Sequence, residues 1–370
     1  MKLILQKNTL MNAINIVMKA VPSKSTMTIL EFILIEANDG QITLTGNDMR
    51  LAIKTVIEGE IIEEGRIAVN AKLFSDIGRS LPDSGDILFE EEDENIFIRC
   101  GSSNFNISGA KGNDFPVLPE IVRDSYVRLT QFTLKEIISQ TIFSISMDET
   151  VNPQMSGELF EVRDNLLRVV ALDGHRIALR RVELKDEYES LKVIVPGKTM
   201  MEISRIIPGD AEKDVYIYFD RNYILFEYED TIVLSRLIEG DYYRVDQMIS
   251  GDYETSVVVN RKAFLDAIER STLLAKDSDK KPIVLNISGD NMELSMKSMI
   301  GSMKEDIPVH CQGKDIVIGF NPRFLIDVLR ALSEEDITLY LVNPRAPIFI
   351  RNDDGSYLYL ILPVNIGNVM

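Results

Sequence analysis

The sequence predicts an α+β fold of three repeated domains, each with two helices packed on antiparallel sheets. Two observations predict it. A pair of helical patterns occurs three times along the chain, and runs of period-two alternation lie between and after those helices. At about 100–200 residues per domain, 370 residues leave room for two or three domains.

The first helix of each repeat is read from "LQKNTLMNAINIVMKAV" (from Leu5), "FTLKEIISQTIFSIS" (from Phe132) and "VNRKAFLDAIERSTLLA" (from Val259). In the first of these, Leu10, Ile14, Val17 and Val21 have the spacing of one buried helical stripe. The second helix is read from "VNAKLFSDIGRSLP", "VPGKTMMEISRIIP" and "FNPRFLIDVLRALS". They start at Val69, Val195 and Phe320, offsets of 126 and 125 residues. Expected inward positions are Leu73, Phe74 and Ile77, then Thr199, Met200 and Ile203, then Phe324, Leu325 and Val328. A repeat of roughly 125 residues is a whole domain, too long for a solenoid unit.

The remaining segments alternate in polarity and break at Asp-Gly, Gly-Asp and Arg-Asn pairs, as antiparallel hairpins do. "GQITLTGND", "NLLRVVALDGHRIALRRVEL" and "TLYLVNPRAPIFIRNDDGSYLYLILPV" are examples. About eight strands per domain are expected, with the helices covering one face of the sheet layer. The expected domains are residues 1–124, 125–250 and 251–370.

The hydrophobic share of 45% provides an ample core, and no apolar run reaches the roughly 18 residues of a membrane span. "MKLILQKNTL" is too short an apolar run for a signal peptide. Cys100 and Cys311 are far apart and read as buried thiols. The simplest compartment is the cytoplasm, and no membrane partner is expected. The net charge of −18 leaves two options for a polyanion partner: none, or one met by a basic surface inside an acidic body.

Several chemistries find no support. "VPGKT" ends like a phosphate-binding loop, but that motif needs a glycine five residues before Gly197, where Lys192 stands. No nucleophile elbow or His-Glu-x-x-His zinc motif occurs, and the cysteines lack metal spacing. No cofactor, metal or catalytic residue is expected. "ALDGHRIAL" (171–179) holds one of two histidines. His175 beside Asp173 admits three readings: a catalytic pair, a plain Asp-Gly turn, or one wall of a binding groove. On physical grounds alone the turn is favoured.

One charge pattern recurs. Lys72, Asp76 and Arg79 match Lys198, Glu202 and Arg205, then Arg323, Asp327 and Arg330. Positions i, i+4 and i+7 share a helix face. Such a face can be merely solvated, with ion pairs worth about 0.3–0.5 kcal/mol each. Three in register place cations on the same face of every domain, which reconciles −18 with a polyanion bound through its phosphates. A non-encircling, sequence-independent nucleic-acid-binding protein would carry the same pattern.

Over its whole length the chain resembles the bacterial DNA sliding clamps, the beta subunits of DNA polymerase III. The resemblance rests on the threefold repeat and on "LTGNDMRLAI", "DFPVLPE", "ALDGHRIAL", "VIVPGK", "IGFNPRFLIDVLRAL" and "YLYLILPV". It implies a non-catalytic processivity factor for DNA replication. In such a factor, two chains join head to tail into a six-domain ring around double-stranded DNA.

By the same resemblance Lys24 and the stripe residues Lys72, Arg79, Lys198, Arg205, Arg323 and Arg330 face DNA. Phe105 and Ile107 on an edge strand meet the helix bearing Leu273 and Leu274 of the other chain, with Arg99 opposite a mixed segment holding Lys297, Lys304, Glu305 and Asp306. A groove for short peptides of the polymerase alpha subunit, the clamp loader and other proteins with clamp-binding motifs is implied around Met155, Leu172, Gly174, His175, Arg176 and Ile177. Leu360 and Leu362 complete that lobe, and a second uses Asn321, Phe324, Pro363 and Val364. Leu172 replaces a small polar residue of the family. "GDYYRVDQM", with Tyr243 and Met248, lacks the family's Phe-Pro-Asp pattern. The tail "IGNVM" is expected beside the groove.

Overall fold

The computed structural model describes residues 1–83, 85–274 and 281–366. Among them are six α-helices, two in each repeat: α1 Lys7–Val17, α2 Ala71–Ser80, α3 Gln131–Thr141, α4 Gly197–Ile206, α5 Arg261–Thr272 and α6 Pro322–Ala331. The strands form three sheets in which every pairing is antiparallel. No helix among the described residues is long and apolar enough to cross a membrane.

Local chemistry sets the helix ends. Asn70, Asn260 and Asn321 each stop a strand and cap α2, α5 and α6, the side-chain oxygen accepting from a backbone N–H in the first turn. Pro322 follows Asn321 at the position where its missing N–H costs nothing. α2 and α6 close alike: the N–H of Leu81 donates to Ile77 O and that of Leu332 to Val328 O.

The buried stripes follow the expected spacing with three corrections. Leu73 is 43% exposed, because the buried arc of α2 is centred on Phe74, Ile77 and Gly78 and leaves Leu73 at its rim. Phe324, at the matching place in α6, is only half-buried. Val21 is half-buried and extended, since α1 ends at Val17 and a short 3-10 turn, Met18–Ala20, follows. Leu10, Ile14 and Val17 are buried.

Compact units cut across the sequence repeats. One unit comprises Met1–Leu134 with Glu202–Leu237, the other Lys135–Met201 with Ile238–Met370. The cause is sheet sharing between consecutive repeats. In the first unit Leu51–Ile57 pairs with Thr231–Arg236, from Leu51↔Ser235 to Thr55↔Thr231, which joins two repeats in a nine-stranded sheet. In the second, Arg176–Pro196 pairs with Tyr357–Ile361, from Arg176↔Ile361 to Arg180↔Tyr357, within a ten-stranded sheet. A five-stranded sheet in the first unit ends on Ser103–Ser108, whose outer edge is unpaired among the described residues. In the second unit, among the described residues, positions 302–308 of the strand Ser302–Gly313 pair on one side only, with Asn291–Lys297.

Candidate partner groove and cationic helix faces

"ALDGHRIAL" folds as a tight turn between two long strands, Gly157–Leu172 and Arg176–Pro196. Asp173 Oδ1 accepts from the backbone N–H of His175 (3.0 Å) and of Arg176 (3.1 Å). Gly174 takes φ +85°, in the left-handed region that suits glycine. The same turn recurs at a spacing of 125 residues. Asp48 Oδ1 accepts from Arg50 and Leu51, and in the third repeat the N–H of Ser298 donates to Gly301 O. Each turn opens onto a strand edge: Leu51–Ile57, Arg176–Pro196 and Ser302–Gly313.

Arg176 is the fixed centre of this site. Its Nε donates to Asp173 Oδ2 at 2.9 Å, Nη1 to Asp327 Oδ2 at 2.6 Å, and Nη2 to Phe143 O. The guanidinium also lies between two rings, 5.5 Å from the centroid of Phe143 and 4.5 Å from that of Phe324. The His175 ring is exposed and 5.9 Å from Phe324. Asp173 is fully engaged by backbone and by Arg176, so it does not orient His175 as a base. Among the described residues no cluster of His, Cys, Asp and Glu could hold a metal ion. Arg176→Ala strands two carboxylates, one of them part-exposed. We expect a loss of about 2–4 kcal/mol of stability, read from the urea midpoint.

The structure brings most expected groove residues together. Leu172, Ile177 and Leu360 are buried in one apolar cluster, with Met155 and Tyr243 packed at its edge. They form a floor, and only Met155 and Tyr243 of this group present surface. The Tyr243 hydroxyl donates to Asn152 Oδ1 at 3.2 Å. The strand end holding Leu362, Pro363 and Val364 is fixed through Leu362 N–H to His175 O and Val364 N–H to Gly319 O, both 2.8 Å. Asn321 spends its side chain on the α6 cap. Met248 stands apart at 47% exposure and lies outside the apolar cluster, because the 3-10 turn Val245–Gln247 buries Val245 instead. Of the tail, residues 367–370 lie outside the described residues.

The cationic faces are exposed in all three repeats: Lys72 and Arg79 on α2, Lys198 and Arg205 on α4, Arg323 and Arg330 on α6, with Lys24 exposed in the loop after α1. The expected intrahelical ion pairs form twice, Arg79–Asp76 at 3.7 Å and Arg205–Glu202 at 2.6 Å. In the third repeat the pattern breaks. Asp327 turns to Arg176, and Arg330 pairs with Glu269 of α5 at 2.8 Å.

Family profiles of the DNA polymerase III beta subunit match almost the whole chain: its N-terminal domain over residues 1–119, its central domain over 128–243 and its C-terminal domain over 246–365. The chain belongs to the DNA polymerase III beta subunit family. A beta sliding clamp of Staphylococcus epidermidis is 33% identical over 98% of this chain and 99% of the relative. A solved structure of a putative DNA polymerase III beta subunit from Eubacterium rectale superposes with a TM-score of 0.95 at 54% identity, covering 99% of this chain and 100% of that one. The sliding clamp of Bacillus subtilis matches with a TM-score of 0.95 at 32% identity, over 99% of both chains.

For this beta-subunit chain, sequence reasoning missed three groups. Phe143 gave no signal, since an aromatic residue after a helix reads as core. Asp327 read as a stripe acid and is instead the second carboxylate on Arg176. Glu158, inside "GELFE", is wholly buried. Its carboxyl is pushed up to about 8 by burial, against a small opposing effect of Thr141.

The residues expected at the interface are surface or edge residues of their units. Phe105 and Ile107 share the half-buried face of the free edge strand. Leu273 is 78% exposed at the end of α5, and Leu274 lies within contact distance of the hairpin tip at Gly301. The nearby charges are engaged locally: Arg99 with Glu90, Lys304 with Glu293, Glu305 with Arg270, and Asp306 with Asn291.

Proposed function

We propose that the chain, a DNA sliding clamp and a non-catalytic processivity factor, works as a head-to-tail ring of two chains around double-stranded DNA. Each chain contributes three clamp domains, 1–124, 125–250 and 251–370. The carrying observation is the register of exposed cations on α2, α4 and α6, repeated at the domain spacing in a chain of net charge −18. A ring holds DNA by topology, so weak, water-bridged phosphate contacts suffice and sliding stays free. Lys24, Lys72, Arg79, Lys198, Arg205, Arg323 and Arg330 supply those contacts. The compartment is the cytoplasm, where replicating bacterial DNA lies.

The repeat itself supports the closure. The strand after each turn pairs with the next repeat in the first two cases, Leu51–Ile57 with Thr231–Arg236 and Arg176–Pro196 with Tyr357–Ile361. The third such strand begins at Ser302 and has a free edge. Stepping Thr231–Arg236 back by one repeat lands on Ser103–Ser108, the other free edge. Addition of Ser302–Gly313 to Ser103–Ser108 of the partner subunit completes the series and covers both edges. Leu273, Leu274, Phe105 and Ile107 then pack beside the seam.

The cleft over Arg176 receives linear peptides of the polymerase alpha subunit, the clamp loader and other proteins with clamp-binding motifs. Apolar anchors bury against Met155, Tyr243 and Leu362 in one lobe and against Phe324 and Val364 in the other, over the floor of Leu172, Ile177 and Leu360. His175 serves as a wall, and Gly174, Asn321 and Pro363 hold the lobes in shape.

The deciding experiment loads the protein onto a nicked circular plasmid with clamp loader and ATP, then filters before and after linearisation. Encirclement predicts retention on the circle and loss from the linear form. Equal retention on both would mean direct gripping and would reject the ring.

A further inference from the structure

The first unit holds a cleft of its own. Its floor is one row across the nine-stranded sheet: Leu34, Thr45, Lys54 and Ile232, cross-strand neighbours in that order. Three strand spacings of about 4.8 Å make this row roughly 14 Å long. Residues 115–121, with Pro116 and Pro119, form the roof, anchored by Phe115 packed on Leu34 and Ala68. The cavity between them measures about 530 Å³ and is mostly apolar, Leu225 and Leu234 extending the floor.

Most of the charges around the cleft are paired with one another. Arg66 is neutralised by Glu36 at 3.2 Å, and Arg123 by Glu227 at 2.9 Å. Glu120 is exposed at the mouth. Lys54 is half-buried in the middle of the floor, and its side chain makes no hydrogen bond or ion pair among the described residues. At the matching place one repeat later stands Leu179, buried in an apolar cluster with Tyr242. The fold accepts leucine there, so the cation is not required for folding. A lysine whose stem lies along apolar surface, with no anion on its ammonium, offers a charge that an incoming carboxylate can meet.

We propose that this cleft is a second docking site, whose occupant is a short extended segment of a partner protein carrying an apolar side chain beside a carboxylate. The apolar side chain fills the space between Leu225, Ile232 and the roof, and the carboxylate meets Lys54. The row's length fits four or five extended residues at about 3.3 Å each.

The test uses the full chain and a fluorescein-labelled peptide of alternating leucine and aspartate carrying a benzophenone crosslinker, with a leucine–asparagine peptide as its neutral counterpart. Expected results are crosslinks to residues 115–121, binding about tenfold weaker for Lys54→Gln, and near-parental binding for Lys54→Arg. Unchanged thermal melting of Lys54→Gln accompanies them. The proposal is overturned by no binding, by equal binding of the neutral peptide, by insensitivity to Lys54→Gln, or by crosslinks confined to the His175 groove. Displacement by octanoate as effectively as by unlabelled peptide would assign the cleft to free carboxylic acids and reject the peptide.

Discussion

Leu273→Lys is expected to split the two-chain ring while leaving each chain folded. Leu273 is 78% exposed in the single chain, so the change removes no contact on which the fold depends. At the proposed seam it becomes buried beside the hairpin tip of residues 298–301. Loss of a buried leucine is worth about 1.5–3 kcal/mol. An unpaired ammonium in the same place adds a desolvation cost of similar size. The sum, about 3–6 kcal/mol, weakens each seam by roughly 100- to 20,000-fold. Sedimentation velocity at micromolar concentration should show halved mass, with circular dichroism and melting temperature of the monomer preserved. A variant that still sediments as a tight dimer would refute the placement of Leu273 at the seam.

The second large effect concerns Glu158. Its carboxyl group is fully buried on the strand Gly157–Leu172, and among the described residues neither oxygen accepts a hydrogen bond, the hydroxyl of the nearby Thr141 donating instead to Ile137 O. Burial raises it from the ordinary 4.5 to about 8, so the folded chain keeps a proton that the unfolded chain releases. The stabilising contribution is fully present below pH 4.5 and is lost as the pH rises through 8. Each pH unit in that window removes about 1.4 kcal/mol, so three units remove on the order of 3–5 kcal/mol at most. Glu158→Gln keeps the shape and cannot ionise. Its stability relative to the parent chain should climb between pH 5 and pH 8, measured by urea unfolding at each pH. Parallel curves for the two proteins would show that Glu158 does not carry this dependence. The nearby Tyr242, whose hydroxyl donates to Val170 O at 3.2 Å, pins the segment that bears Tyr243, so ionisation of Glu158 also disturbs the groove's edge.

How far the sequence reaches can be judged residue by residue. The helices were legible because their apolar spacing repeats three times, so a chance pattern in one copy is corrected by the others. The error at Leu73 arose because it stands one residue, about 100° of helix rotation, before the buried Phe74, and a residue at the rim of the stripe reads as part of it. The turn at Asp173 was legible from Asp-Gly chemistry, whereas its role depended on Phe143 and Asp327, which no spacing rule ties to Arg176. Glu158 and Lys54 were invisible for a related reason. Each sits in an alternating strand and reads as an outward-facing charge, since periodicity marks which face a residue takes but not what later covers that face. Sheet sharing was equally hidden, because Leu51 and Ser235 are partners far apart in the chain.

That sharing has a mechanical consequence. Two of the three junctions in the series lie within a single chain, so strain that separates their strands still leaves the ends tethered by covalent backbone, and the pairing can re-form at once. The third junction has no such leash. In the proposed ring each chain then has two junctions that heal and one latch that can part completely, and DNA is expected to enter at the proposed seam between Ser302–Gly313 and Ser103–Ser108 of the partner subunit.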